Sequence, residues 1–222
     1  MSTDCYSFLF AQIPCSLTLG CLVHTGFMAA WKEIEKSVLA GIKTAKTANP
    51  SYPLVITGHS LGGAVATIGA GYIRRSGYPI DIYTFGAPRA GNSVFAKLIT
   101  NQAGNEFRVT HAADPAARLP PIVFNYRHTS PEFWLPNTTP NPADVQVCEG
   151  IANVNCNAGT TGFNLTEHSL YFDQVNGCGM LDGTPWRRRD LPDSEIAKQL
   201  AEWVLEDKQF AAALPESERR TG

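Results

Sequence analysis

The run Leu54-Val55-Ile56-Thr57-Gly58-His59-Ser60-Leu61-Gly62-Gly63 constrains the fold more than any other part of the chain. A β-rich stretch enters a Gly-x-Ser-x-Gly turn, and a small-residue segment from Leu61 to Arg75 with helical character follows it. That strand–turn–helix setting lifts a serine hydroxyl above the edge of a sheet. Only three of the five turn positions are fixed, so the motif alone recurs by chance; the flanking strand and helix give it meaning. Sterics explain the glycines: a Cβ at Gly58 or Gly62 is expected to collide where the backbone doubles back, and Ser60 is forced into a strained φ/ψ. Gly63, Ala64 and Ala66 let the helix lie close to the sheet.

The rest of the first half repeats the same alternation. Short strands are expected at Phe8 to Ile13 and at Leu22-Val23. Phe27 to Ala48 reads as an amphipathic helix with Trp31, Ile34, Val38, Leu39 and Ile42 on one face, and Asn49-Pro50 stops it. A strand over Ile80 to Phe85, a helix over Ser93 to Asn101 and a strand over Phe107 to His111 follow. Strands and helices in this order predict an α/β fold, a mostly parallel sheet with helices on its faces. Beyond Pro115 prolines crowd the chain, and loops with short strands are expected to wrap the active-site edge. Ser194 to Leu205 has the pattern of one amphipathic helix, and the residues after Pro215 read as a polar, disordered tail.

At 222 residues and 44% hydrophobic, the chain can bury a sizeable core. A net charge of -2 argues against nucleic acid or an anionic membrane surface as partner. The basic run Arg187-Arg188-Arg189 reads as a solvated loop. None of the six cysteines has the paired short spacing of a zinc site. Cys15 with Cys21, and Cys148 with Cys156, bracket short loops and are expected to form local disulfides, leaving Cys5 and Cys178 to pair or stay free. Local disulfides imply an oxidising compartment, as do sequons at Asn137 and Asn164. Met1 to Gly20 lacks a basic start and its apolar run is broken by Gln12 and Pro14, so it does not read as a signal peptide. No stretch has the length of a transmembrane helix.

A serine hydroxyl needs a histidine to take its proton and a carboxylate to orient that histidine. Sheet hydrolases supply these in the order serine, acid, histidine. Of the five histidines, His24 precedes the serine, His59 adjoins it, and His111 and His128 suit structural roles, so the order favours His168. Among the carboxylates Asp114 is best placed, just past a strand end and stiffened by Pro115. Asp81 begins its strand and so lies at the wrong edge; Asp144 and Asp173 remain open.

At this point the sequence resembles the fungal class 3 lipases, a group that also contains feruloyl esterases. The matching segments are Val23 to Phe27, Pro50-Ser51-Tyr52, Ile56 to Ala64, Tyr83 to Asn92, Arg108 to Pro115, Arg118 to Pro121, and His168 with Tyr171-Phe172. The resemblance implies an α/β-hydrolase fold acting on acylglycerol esters without metal or cofactor. It implies Ser60 as nucleophile, Asp114 as orienting acid, His168 as general base, and the Leu61 backbone N–H as an oxyanion donor. It implies secretion, action on lipid esters at an oil–water interface, and a hydrolase domain over 1–178 followed by an extension over 179–222. Leu61, Ala116 and Ile122 are expected to accept the acyl chain, with His59 beside them. Ahead of the segment matching Cys15 to Gly26 the family carries an Arg-Gly-Ser or Arg-Gly-Thr strand end, which gives a second oxyanion donor, and a helical lid. This sequence holds neither. Missing N-terminal strands, an absent partner for Cys178 and an exposed sheet edge are therefore expected. Two rival readings follow: a feruloyl esterase, and a lipase-like chain that binds without turnover.

Overall fold

A computed structural model of the chain describes residues 10–175 and 192–219. Cys5, Cys178, the Arg187 to Arg189 run and the start of the first expected strand lie outside the described residues.

Strands β1 (Gln12–Pro14) and β2 (Leu22–His24) form an antiparallel pair, and the Cys15–Cys21 disulfide ties the loop between them. The His24 ring then caps helix α1 (Thr25–Ala48), its Nδ1 accepting from the Gly26 and Phe27 N–H groups at 3.1 and 3.4 Å. Trp31 on this helix is fully buried and Val38, Leu39 and Ile42 pack beside it, whereas Ile34 stays exposed at the edge of the expected apolar face.

Among the described residues the main sheet has five strands in sequence order: β3 (Leu54–His59), β4 (Ile80–Phe85), β5 (Glu106–His111), β6 (Glu132–Leu135) and β7 (Gln146–Cys148). The first four run parallel and β7 returns antiparallel, with Cys148 bonded to Cys156. Helices α2 (Leu61–Arg75) and α3 (Ser93–Asn101) make the crossovers, and Ile68, Ile73, Ile82, Phe95 and Ile99 meet Trp31 in the core. The sheet is mainly parallel and flanked by helices, the α/β-hydrolase arrangement. Because the register aligns His59 with Phe85 and Phe85 with Val109, the loops leaving β3, β4 and β5 emerge at one edge. Ligand chemistry in open parallel sheets collects at that carboxyl edge. Among the described residues β3 is an edge strand of this sheet, and Val55 on it is 56% exposed.

Two expectations need correction. The proline-rich stretch does more than wrap the edge, because Glu132 to Leu135 enters the sheet as a fourth parallel strand. Its Glu132 is buried against Arg108 at 3.2 Å and accepts from the Thr110 hydroxyl at 2.5 Å, so a paired charge occupies a position where a buried strand normally carries an apolar residue. The tail after Pro215 is also ordered, in helix α6 (Glu216–Arg219), which follows α5 (Asp193–Ala212). Glu218 explains why: it is buried between Lys97 at 2.7 Å and Arg127 at 3.2 Å, and its carbonyl takes the Ala152 N–H. Asp207 on α5 likewise accepts from Val123 N–H at 3.0 Å and faces the buried Arg89 guanidinium at 3.5 Å.

Candidate active site

Ser60 sits between β3 and α2 with φ 55° and ψ −131°, a conformation that a residue with a Cβ adopts only under constraint. The constraint is backbone. Its N–H donates to the Phe85 carbonyl at 2.9 Å, and its own carbonyl accepts from Gly63 and Ala64 N–H at 2.9 and 3.3 Å. A Cβ on Gly58 would lie 2.5 Å from the Gly62 carbonyl carbon and 2.7 Å from the Gly63 nitrogen, so this glycine is required. Gly62 is not: a Cβ there meets open space, contrary to the expectation from sequence. The second tight position is Gly63, where a Cβ would come within 2.7 Å of the Ala87 Cβ as the helix crosses the next loop.

His168 ends α4 (Leu165–His168), and its ring lies between the other two candidate groups. Nε2 is 2.8 Å from the Ser60 hydroxyl oxygen, and Nδ1 is 2.9 and 3.0 Å from the two Asp114 carboxylate oxygens. A carboxylate on Nδ1 fixes the proton there and leaves the Nε2 lone pair for the serine. Asp114 is fully buried, and three donors hold it: the His168 ring, the Ala116 N–H at 2.8 Å and the Tyr171 hydroxyl at 2.5 Å. Tyr171 belongs to β8 (Leu170–Tyr171), which pairs with β9 (Asp173–Gln174). Burial, reinforced by the Asp114 charge, raises the Tyr171 phenol well above its ordinary value, so it remains a donor. The Asn157 side-chain amide donates to the Ala112 and Asp114 carbonyls, both at 3.1 Å.

Tyr171 and Asn157 could not be assigned from sequence, and neither could Gly86. With φ 58°, a Cβ on Gly86 would come within 2.7 Å of both Asp114 Oδ2 and the Tyr171 hydroxyl. A glycine two residues before a proline, at the end of a strand next to the one that leads into Ser60, is the signal that marks it.

The remaining candidates are dispersed. His59 turns its Nε2 onto the His168 carbonyl at 2.6 Å and sets its ring 4.7 Å from the His168 ring; a carbonyl only accepts, so Nε2 carries the hydrogen. Burial lowers its proton affinity, in keeping with a neutral ring. His111 and His128 are buried with ring nitrogens on backbone carbonyls, and Asp81 accepts from Asn105 at the opposite end of its strand. Leu61 is 53% exposed beside the serine, and its N–H, at the first helical position, has no acceptor within the helix. Ile122, expected to meet an acyl chain, is completely buried under α5 and cannot do so. Ala116 keeps part of its surface.

The family model for lipase (class 3) matches residues 3–124. A secreted mono- and diacylglycerol lipase from Fusarium solani is 49% identical over 208 residues, 92% of this chain and 62% of that one. One from Penicillium cyclopium is 41% identical over 76% of this chain and 57% of its own length. The chain thus spans less than two thirds of the length of these curated relatives. Among solved structures, the mono- and diacylglycerol lipase from Aspergillus oryzae superposes with a TM-score of 0.71 at 34% identity, covering 78% of this chain and 68% of that one. By family match, identity and superposition, the chain belongs to the class 3 lipases.

Proposed function

We propose that this chain carries a serine hydrolase site that cleaves acylglycerol esters through Ser60, His168 and Asp114. One observation carries the reading: a single imidazole stands within hydrogen-bond reach of both a strained serine hydroxyl and a buried carboxylate. The Ser60 oxygen attacks the ester carbonyl as its proton passes to His168 Nε2, while Asp114 stabilises the resulting imidazolium through Nδ1–H. The Leu61 N–H, at the positive end of α2, donates to the oxyanion. Collapse expels the alcohol, which takes the proton from Nε2. A water then gives its proton to the same nitrogen and attacks the acyl carbonyl, releasing the fatty acid and restoring Ser60.

The names of the relatives, mono- and diacylglycerol lipases described as secreted, support partial glycerides as substrates and an extracellular setting. Disulfides at Cys15–Cys21 and Cys148–Cys156 agree with an oxidising compartment. Exposed Leu61 offers apolar surface beside the nucleophile for an acyl chain at an oil–water interface. Hydrolysis of p-nitrophenyl butyrate and of monoacylglycerol by the purified chain tests the reading. Ser60→Ala is expected to lower kcat by at least about a thousandfold. No turnover of short or long esters, or turnover that survives Ser60→Ala, sinks it.

A further inference from the structure

We infer that Glu167 is a positioning residue, a side-chain clasp that ties the loop carrying His168 to the loop carrying Asp114; this rests on the triad reading above. Glu167 precedes His168 and Ala113 precedes Asp114, so a bond between the first pair sits one residue away from the contact between the second. Glu167 Oε2 accepts the Ala113 N–H at 2.8 Å, alongside the 2.9 and 3.0 Å contacts from His168 Nδ1 to Asp114. The carboxylate belongs to a residue only 7% exposed. A buried glutamate is costly unless its charge is met, and the acid loop meets it with the Ala113 N–H. Burial brings the Arg118 guanidinium, just beyond Asp114, down to about 10, and attraction to the Asp114 and Glu167 charges opposes that shift.

Arg118 returns the connection in the other direction. Its Nη2 donates to the Ala113 carbonyl at 3.1 Å, while Nη1 and Nη2 reach the Thr160 and Gly162 carbonyls on the stretch that leads to His168. Each loop therefore sends one charged side chain to the backbone of the other. The need is evident from α4, which is only four residues long and makes too few intrahelical bonds to hold His168 unaided. The His111 ring, with Nδ1 3.2 Å from the Glu167 carbonyl, braces the same residue on its backbone side. With the clasp open, His168 keeps its contacts to the serine and the acid only in a fraction of conformers, which lowers turnover without touching substrate binding.

Three substitutions separate reach from charge. Glu167→Gln keeps the length and an accepting oxygen, Glu167→Asp keeps the charge but falls one methylene short of Ala113, and Glu167→Ala removes both. We measure kcat and KM for p-nitrophenyl butyrate, the rate of Ser60 labelling by a fluorophosphonate, and the melting temperature of each purified protein. Glu167→Ala and Glu167→Asp are expected to lose about ten- to a hundredfold in kcat and in labelling rate with KM within about twofold, while Glu167→Gln stays within about threefold of the parent. The Asp variant keeps the test decisive if the Ala variant does not fold. Full activity in Glu167→Asp and Glu167→Ala overturns the clasp, as does a loss in Glu167→Gln equal to that in Glu167→Asp, or a loss fully accounted for by unfolding at the assay temperature. Failure of the triad reading looks different: the unsubstituted protein then neither turns over ester nor labels at Ser60, and the clasp falls with it.

Discussion

The two halves of the site are built by different means. The turn that carries the proposed nucleophile, Ser60, occupies a few contiguous residues where β3 meets α2, and crowding sets its shape: Gly58 against Gly62, Gly63 against Ala87, Ser60 N–H on Phe85. The proposed acid and base instead come from segments separated by about fifty residues of chain, 54 between Asp114 and His168, and polar side chains lock them together through Tyr171, Asn157, Arg118 and Glu167. Crowding admits one residue type and tolerates no adjustment. A hydrogen-bonded lock can lose a member and still close in part. The first half should therefore fail all at once under substitution and the second by degrees.

The largest effect is expected from Gly58→Ala. Its new Cβ would meet only backbone atoms, at 2.5 and 2.7 Å, so no side chain can swing aside. A loss of about 3 kcal/mol or more in stability, or no soluble protein, should appear in thermal melts followed by circular dichroism. A variant melting within a few degrees of the parent would remove the steric half of the comparison. Next comes Tyr171→Phe, which deletes one of three donors to Asp114 and leaves the ring in place. A hydrogen bond to a charged acceptor contributes about 1.5–3 kcal/mol to stability, so the melting temperature is expected to fall by several degrees, and kcat by about ten- to a hundredfold as Asp114 loses a fixed position. Unchanged kcat would mean that the remaining donors suffice and the lock is redundant.

The same contrast explains what the sequence reveals. A steric demand writes itself locally, as glycine at a fixed offset from Ser60 or as small residues down α2, and the strand–turn–helix pattern around it was readable with nearly the observed boundaries. Asp114 and His168 were placed by order along the chain and by a strand end, without any sign of what secures them. A lock between distant residues leaves no periodic trace, so neither Glu167 nor Arg118 draws a role from the sequence. Charge burial misled the reading elsewhere for the same reason. Glu132 disguised a parallel strand, and Glu218 made a polar tail look unstructured although Lys97 and Arg127 wait for it. Gly62 shows the opposite error, a glycine credited with a collision where there is open space.

The smallest effect tests whether a buried carboxyl outside the site, at the opposite end of β5 from Asp114, carries a cost that the steric turn does not. Glu106 opens β5, and burial pushes its carboxyl up to about 7, against the pull of Thr129, Arg108 and Arg74. In the folded chain it therefore holds a proton at pH values where the unfolded chain, titrating near 4.5, has released it. Its contribution is fully present below about pH 4.5 and is lost as pH rises toward 7. Glu106→Gln keeps the neutral shape at every pH, so the variant should match the parent at pH 4 and outlast it at pH 8. Each pKa unit is worth about 1.4 kcal/mol. Since the residue retains part of its surface, the gain is expected on the order of 1 kcal/mol, a few degrees in melting temperature. A gap between the two proteins that stays constant from pH 4 to 8 would mean that Glu106 titrates alike in the folded and the unfolded chain. The attraction of Arg108 and Arg74 would then balance its burial, and this buried carboxyl would cost the fold no more than the glycines cost their turn.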